Sequence, residues 1–296
     1  MVCTEMVSAN ALYYESTKTH QLMTTASDES PVSIQIFGSD PKIMAFAAEK
    51  AEKAGADILD INFGCSVRKI LKSGSGAALM KDSAHAEILL KSVIKAVNIP
   101  VTIKIRSGFD ASGNDALEIA RVAENSGISA ITVHPRTVKQ AFTGKADWSI
   151  IKAIKDSVHI PVIGNGDIVN SVKAMQMLED TNCDAVMVGR ESLQNPFIFE
   201  EINMKLLGMS YETAGIDRVA SVMKRYLDHA VAYYGEEKAC LHLRSRLCRF
   251  VKGFPNARDF RAAITRISFR NEAYDIIDSF VFHYRPAEEG LNTKEC

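Results

Sequence analysis

No stretch of this chain approaches the roughly 18 consecutive apolar residues of a membrane-spanning helix. No basic segment followed by an apolar core opens it. Neither a membrane span nor a secretory signal is expected, and the reading is a cytoplasmic protein. The six cysteines, Cys3, Cys65, Cys183, Cys240, Cys248 and Cys296, include no C-x-x-C pair. That argues against a disulfide framework and against a metal site, and for reduced thiols. Charge of either sign is not in excess: 35 basic and 36 acidic residues leave a net of −1. Any nucleic-acid footprint must therefore be local. No G-x-G-x-x-G follows the first strand-like run, which weighs against a dinucleotide-binding doubly wound sheet.

What is present is a βα rhythm. The 296 residues, 47% hydrophobic and 24% charged, suffice for one large domain and a small one. Short runs rich in Val and Ile at Val2–Val7, Val32–Phe37, Asp57–Asn62, Val101–Arg106, Ala130–His134, Val162–Asn165 and Ala185–Val188 read as strands. They read as mostly apolar on both faces, as in a buried parallel sheet. Helical stretches lie between them, at Pro41–Ala54, Ser83–Val97, Asn114–Ser126, Trp148–Ser157 and Asn170–Glu179. The polar residues gather at the C-terminal ends of the strands, where (β/α)8 barrels collect their chemistry. The fold class expected is α/β, a TIM-type (β/α)8 barrel with seven strands visible and the first one missing.

After residue 208 the strand-like runs stop. Ile216, Val219, Met223, Tyr226, Leu227, Ala230, Val231 and Tyr234 recur at helical spacing. Further helices are expected over Glu237–Lys252, Ala257–Ile267 and Glu272–His283, forming a small helical bundle, with a polar, frayed tail from Pro286 to Cys296. Leu241–Arg270 holds eight basic residues, Arg244 and Arg246 among them, against the single acid Asp259. Such segregation fits a phosphate-backbone contact, and equally a solvated helix face.

Four groups of residues could carry chemistry. The loops Gly164-Asn165-Gly166-Asp167 and Gly189-Arg190 bring glycines, backbone amides and an arginine to the rim, where barrels commonly bind phosphate. Gln35, Lys104 and His134 each end or nearly end an apolar strand. Together they suit a flavin ring, with a cation for its negative charge when reduced. Arg106 and Arg136 lie on the same rim. Cys65 follows Asp60-Ile61-Asn62-Phe63-Gly64 at a strand end and precedes a basic, Gly/Ser-rich segment read as a mobile loop (Arg68, Lys69, Lys72, Gly74, Gly76). A lone cysteine is more often an inert small hydrophobe. At this place it can serve as a nucleophile, with His134 the one candidate base on the rim, or as an acid, for which it needs only to stay protonated and reach a carbon.

These motifs together, with Val32–Pro41, His134-Pro135-Arg136-Thr137, Leu243-Arg244 and Phe250-Val251-Lys252-Gly253, resemble the bacterial tRNA-dihydrouridine synthases over essentially the whole chain. The resemblance implies an FMN-dependent oxidoreductase that reduces the C5=C6 bond of uridine in tRNA, with NADPH or NADH as electron source. It implies Cys65 as proton donor to C5. FMN would be held by Gln35, Lys104, His134, Asn165, Gly166, Asp167, Gly189 and Arg190. Asn62, Lys69, Arg106, Arg136, Arg244 and Arg246 would face the substrate. The barrel would span 1–208 and the tRNA-binding helices 209–296, in a monomer without metal.

Two departures from the family pattern stand out. Ser66 occupies the place of a proline after the cysteine, and no Ala-Pro-Met-x-Gly-type loop precedes the first visible strand. The latter implies weak flavin binding or poor folding, a mis-called start, or an inactive copy that only binds RNA. Another flavin barrel acting on a small pyrimidine is a further alternative.

Overall fold

The computed structural model describes residues 1–26, 28–109 and 111–289. Eight strand segments form one all-parallel sheet: β1 (Val2–Cys3), β2 (Val7–Ser8), β3 (Val32–Phe37), β4 (Ile58–Phe63), β5 (Val101–Arg106), β6 (Ala130–His134), β7 (Val162–Asn165) and β8 (Ala185–Met187). Their order is β1-β3-β4-β5-β6-β7-β8, with β2 also on β3. The strands thus occupy seven positions of a (β/α) barrel. Among the described residues β8 pairs with β7 alone.

The single strand expected over Val2–Val7 is split. Val2 pairs with Val32 and Val7 with Ile36. Five steps along the first strand therefore match four along β3, which is a one-residue bulge. Thr4 makes it: its N–H donates to the Ser33 carbonyl (2.9 Å), and its hydroxyl accepts from the Gln35 N–H (3.1 Å).

The helices begin and end on recognisable residues. Asp40 Oδ1 accepts from Lys42 and Ile43 N–H, both at 2.9 Å, to start Pro41–Lys53. Asp82 caps Ser83–Ala96 in the same way, and Gly127, at φ 97°, ends Asn114–Ser126. Asp57 and Asp184 each accept the first N–H of the preceding strand, from Val32 and Val162 at 2.7 Å.

The expectation that the strands are apolar on both faces is corrected. Side chains alternate along a strand, and one set is wholly apolar and buried: Ile34, Ile36, Leu59, Ile61, Ile103, Ile105, Ile131 and Val133. This set lies under the helices, where a Cβ at Gly164 would fall 2.4 Å from Met177 Sδ. The other set is polar and faces inward: Gln35, Asp60, Asn62, Thr102, Lys104, Arg106, Thr132, His134 and Asn165. Of the site residues expected from the sequence, Gln35, Asn62, Lys104, Arg106, His134 and Asn165 lie on that second set.

The chain divides into two compact units, 1–168 with 173–188, and 169–172 with 189–296. The second is helical. Ile198–Leu206, Ile216–Tyr234, Glu236–Phe250, Ala257–Ile264 and Arg270–Glu289 are its helices. Met223, Leu227, Leu243, Leu247, Phe260, Ile264 and Ile277 are in its core. Its last helix continues through 289, past the expected stop at His283, so the first part of the expected tail is helical. Residues 290–296 lie outside the described residues.

Candidate active site

The site is built at the C-terminal ends of β4 to β7. Cys65 is half-buried and leaves β4 on a turn fixed at both of its backbone groups. Its N–H, with that of Gly64, donates to Asn62 Oδ1 (2.8 and 3.0 Å). Its carbonyl accepts from Ala77 N–H (3.1 Å). Gly76 makes that second contact possible: its φ is +62°, and a Cβ there would come within 2.8 Å of the Cys65 carbonyl oxygen. The segment expected as a mobile loop is ordered around these contacts. Arg68–Lys72 is a short helix with Ile70 buried, and Gly76–Lys81 is a 3₁₀ turn burying Ala77, Leu79 and Met80. The turn is held with Ser66, and no proline, after the cysteine. Lys69 is exposed on the short helix.

Arg106, 5% exposed, braces the same turn from β5. Its Nε donates to the Gly64 carbonyl (2.7 Å) and its Nη1 to the Thr137 and Ala141 carbonyls (3.3 and 3.0 Å). The ring of Phe142 lies 5.6 Å from the guanidinium carbon.

Lys104 lies beside Asn62 across the β4–β5 pairing. Its Nζ donates to Asn165 Oδ1 (3.0 Å), and Asn165 Nδ2 donates to the Met187 carbonyl (2.8 Å). Burial brings its pKa down to about 8, against the pull of Asp60 and with help from Arg106. His134, 8% exposed, is driven down to about 3 by burial and by the cations Lys104, Arg106 and Arg136. It is a neutral imidazole at any physiological pH. Arg136 Nη1, which can only donate, sits 3.3 Å from His134 Nε2. Nε2 must therefore accept, and the ring proton resides on Nδ1.

Arg136 is only 2% exposed. Its Nη2 donates to both carboxylate oxygens of Asp167 (2.8 Å each) and to the Gly144 carbonyl (2.7 Å). Asp167 Oδ2 also accepts from Ala146 N–H (2.8 Å). This pair fastens the loop after β6 to the loop after β7. Gly166, at φ +124°, lies flush against the imidazole: a Cβ would stand 3.1 Å from His134 Cδ2 and 3.0 Å from Ala146 Cβ.

The structure thus brings together Gln35, Asn62, Cys65, Lys104, Arg106, His134, Arg136, Asn165, Gly166 and Asp167. Gly189 and Arg190 are exposed and belong to the second unit, as do Arg244 and Arg246. A Cβ at Gly189 would meet nothing within 4 Å. Arg244 Nε and Nη2 donate to the Ile267 carbonyl (2.9 and 2.7 Å), so its fork is turned onto its own fold. Arg246 is exposed and donates to Tyr226 Oη (2.9 Å).

Sequence reasoning missed Asp60, 6% exposed in the middle of β4, and its partner Thr102. The signal was available. Asp60 lies two residues before Asn62, and period 2 puts both on one face.

The chain as a whole is similar to known proteins. A family model described as dihydrouridine synthase matches residues 1–283. The tRNA-dihydrouridine synthase B of Pseudomonas aeruginosa is 37% identical over 268 residues, 90% of this chain and 81% of that protein. That of Vibrio vulnificus is 38% identical over 268 residues, 90% and 83% of the two chains. A probable tRNA-dihydrouridine synthase of Rickettsia conorii is 36% identical over 297 residues, 100% of this chain and 89% of the relative. On a match of this extent the chain belongs to the dihydrouridine synthase family.

Proposed function

We propose that this protein reduces the C5=C6 bond of uridine in tRNA, with FMN as its cofactor and NADPH or NADH as electron source. The observation that carries the reading is Cys65, held by its backbone between Asn62 and Ala77 on the rim that also presents Lys104 and His134. The donor set suits a flavin. Lys104 offers a cation, the His134 Nδ1–H offers a neutral donor, and Gly166 keeps clear the space beside the imidazole that a Cβ would fill. When bound, FMN supplies the hydride that uracil C6 takes.

The chain's own residues do the rest. Cys65 Sγ–H gives its proton to C5, so the ring gains one hydride and one proton. Asn62 sets the Cys65 turn, and Arg106 clamps the Gly64 carbonyl on its other side. Arg136 and Asp167 hold the two loops that flank His134 and Asn165. Within the first unit, Asn165, Gly166 and Asp167 are assigned to the flavin's ribityl phosphate. The base must leave its stack to reach Cys65. The exposed cations of the helical unit, with Lys69, are assigned to the tRNA backbone.

Cys65→Ala tests the reading. Flavin reduction by NADPH should be unchanged, while single-turnover reduction of tRNA uridine should fall about 10²–10⁴-fold, the worth of a positioned acid. Undiminished turnover on tRNA would remove Cys65 as the proton donor.

A further inference from the structure

Asp60, Gln35 and Asn62 form one chain of hydrogen bonds that ends on the backbone of Cys65. Gln35 is the direct cross-strand neighbour of Asp60 on β3, and Thr102 its neighbour on β5. All of the chain's side chains are nearly buried: Gln35 9%, Asp60 6% and Asn62 8% exposed. Gln35 Nε2 donates to Asp60 Oδ2 (2.6 Å), and Thr102 Oγ1 donates to Asp60 Oδ1 (2.6 Å). Asn62 Nδ2 donates to Gln35 Oε1 (2.7 Å). Asn62 Oδ1 then accepts from Gly64 and Cys65 N–H.

The polarity of this chain is forced from one end. Backbone N–H groups can only donate, so the Asn62 oxygen must face the turn. Its amide nitrogen then points at Gln35 and requires an acceptor. Gln35 must therefore show its oxygen to Asn62 and its nitrogen to Asp60. An amide flip at either residue would set two donors face to face in a buried place, so the chain has one workable orientation only if it ends on an acceptor. Asp60 supplies that acceptor.

We infer that Asp60 is a positioning residue for the acid: by accepting from Gln35 it fixes the orientation of both side-chain amides and, through Asn62, the turn that carries Cys65. The inference rests on the role proposed above for Cys65. What the chain needs from Asp60 is an oxygen that accepts, not a charge. Burial raises the Asp60 pKa, while the Thr102 and Gln35 donors and the Lys104 cation work against it. A neutral carboxyl with its proton turned to Thr102 would preserve the same polarity at Gln35.

Asp60→Asn keeps a carbonyl for Gln35 and can donate to Thr102, whereas Asp60→Ala leaves Gln35 without a terminal acceptor. In flavin-free protein, peptide-resolved iodoacetamide alkylation of Cys65 reads the turn directly. Asp60→Ala should raise the Cys65 alkylation rate about fivefold or more, the effect of one lost buried partner, with Asp60→Asn within about twofold of wild type. In the holoenzyme, single-turnover uridine reduction should fall about tenfold or more in Asp60→Ala and be restored by Asp60→Asn, with the KM for tRNA unchanged. A general packing defect would not be rescued by the neutral isostere.

Should Asp60→Ala not fold, Gln35→Glu serves on the alkylation arm. It sets two carboxyls together and should speed Cys65 alkylation, and adding Asp60→Asn should reverse that. Asp60→Asn as damaging as Asp60→Ala, or an Asp60→Ala protein with wild-type alkylation and turnover, would overturn the inference. A wild-type enzyme that reduces no tRNA uridine would instead sink the proposed function. The alkylation arm would still report on the chain of amides.

Discussion

Three cations on the sheet rim and three in the helical unit are held in opposite ways. On the sheet rim, Lys104, Arg106 and Arg136 are drawn inward and tied to Asn165 Oδ1, to backbone carbonyls and to Asp167. In the helical unit, Arg249, Arg258 and Arg266 stand exposed, and their side chains make no hydrogen bond or ion pair among the described residues. Buried charges of the first kind must be compensated wherever they point, so they fix geometry and shift pKa values. Exposed charges of the second kind keep their hydration and are available to an external polyanion. The rim cations are compensated within the fold and the helical ones hydrated, although both regions are rich in the same residue types.

The largest effect that would sharpen this contrast is on stability. Arg136→Ala removes the nearly buried partner of Asp167 and should cost about 3 kcal/mol in urea melts. Arg258→Ala should cost less than about 0.5 kcal/mol. Equal losses would erase the distinction between the two regions.

Substitution of Arg249, Arg258 and Arg266 together by alanine should leave the melting curve in place and weaken tRNA binding. If each meets a phosphate, the slope of log affinity against log salt should fall by about 0.9 per residue. An unchanged slope would assign these arginines to a merely solvated face.

Gly76→Ala places a Cβ against the Cys65 carbonyl in a left-handed backbone, which costs about 1–2 kcal/mol from the backbone alone. Uridine reduction should suffer more than flavin reduction, measured in single turnovers of each half-reaction. Equal effects on both would detach the Gly76 contact from the acid.

The smallest effect is a pH dependence. Lys104, near 8, is cationic below that value and loses its proton as pH rises through it. If the cation holds the flavin, FMN affinity measured by fluorescence quenching should weaken above pH 8, approaching about tenfold per unit. His134, near 3, stays neutral throughout, so no limb is expected near the ordinary histidine value. A flat titration across pH 8 would remove Lys104 from the flavin site.

Much of the first unit was legible beforehand. Val32–Phe37, Val101–Arg106, Ala130–His134 and Val162–Asn165 are strands over the expected residues, because β-branched runs between turn signals leave little alternative. The N-cap at Asp40 is legible in the sequence, because capping is local chemistry. The bulge at Thr4 was not legible, since it depends on which carbonyls and amides β3 offers opposite it. The segment after Cys65 read as a loop because its short helix has little periodicity of its own. Buried Ile70 and the Ala77 bond to Cys65 give it order.

Sequence alone determined the parallel βα architecture and the family, and singled out Cys65 as the candidate acid, because these rest on local periodicity and on motifs contiguous in the chain. Only the tertiary structure decided that Asn62 caps the Cys65 turn, that Arg136 is bound to Asp167, that His134 is neutral with its proton on Nδ1, and that Asp60 ends a chain of amides. Each of those facts depends on which donors and acceptors from separate strands meet out of water. A buried hydrogen bond has a sign and a direction that residue types do not carry until their partners are in place.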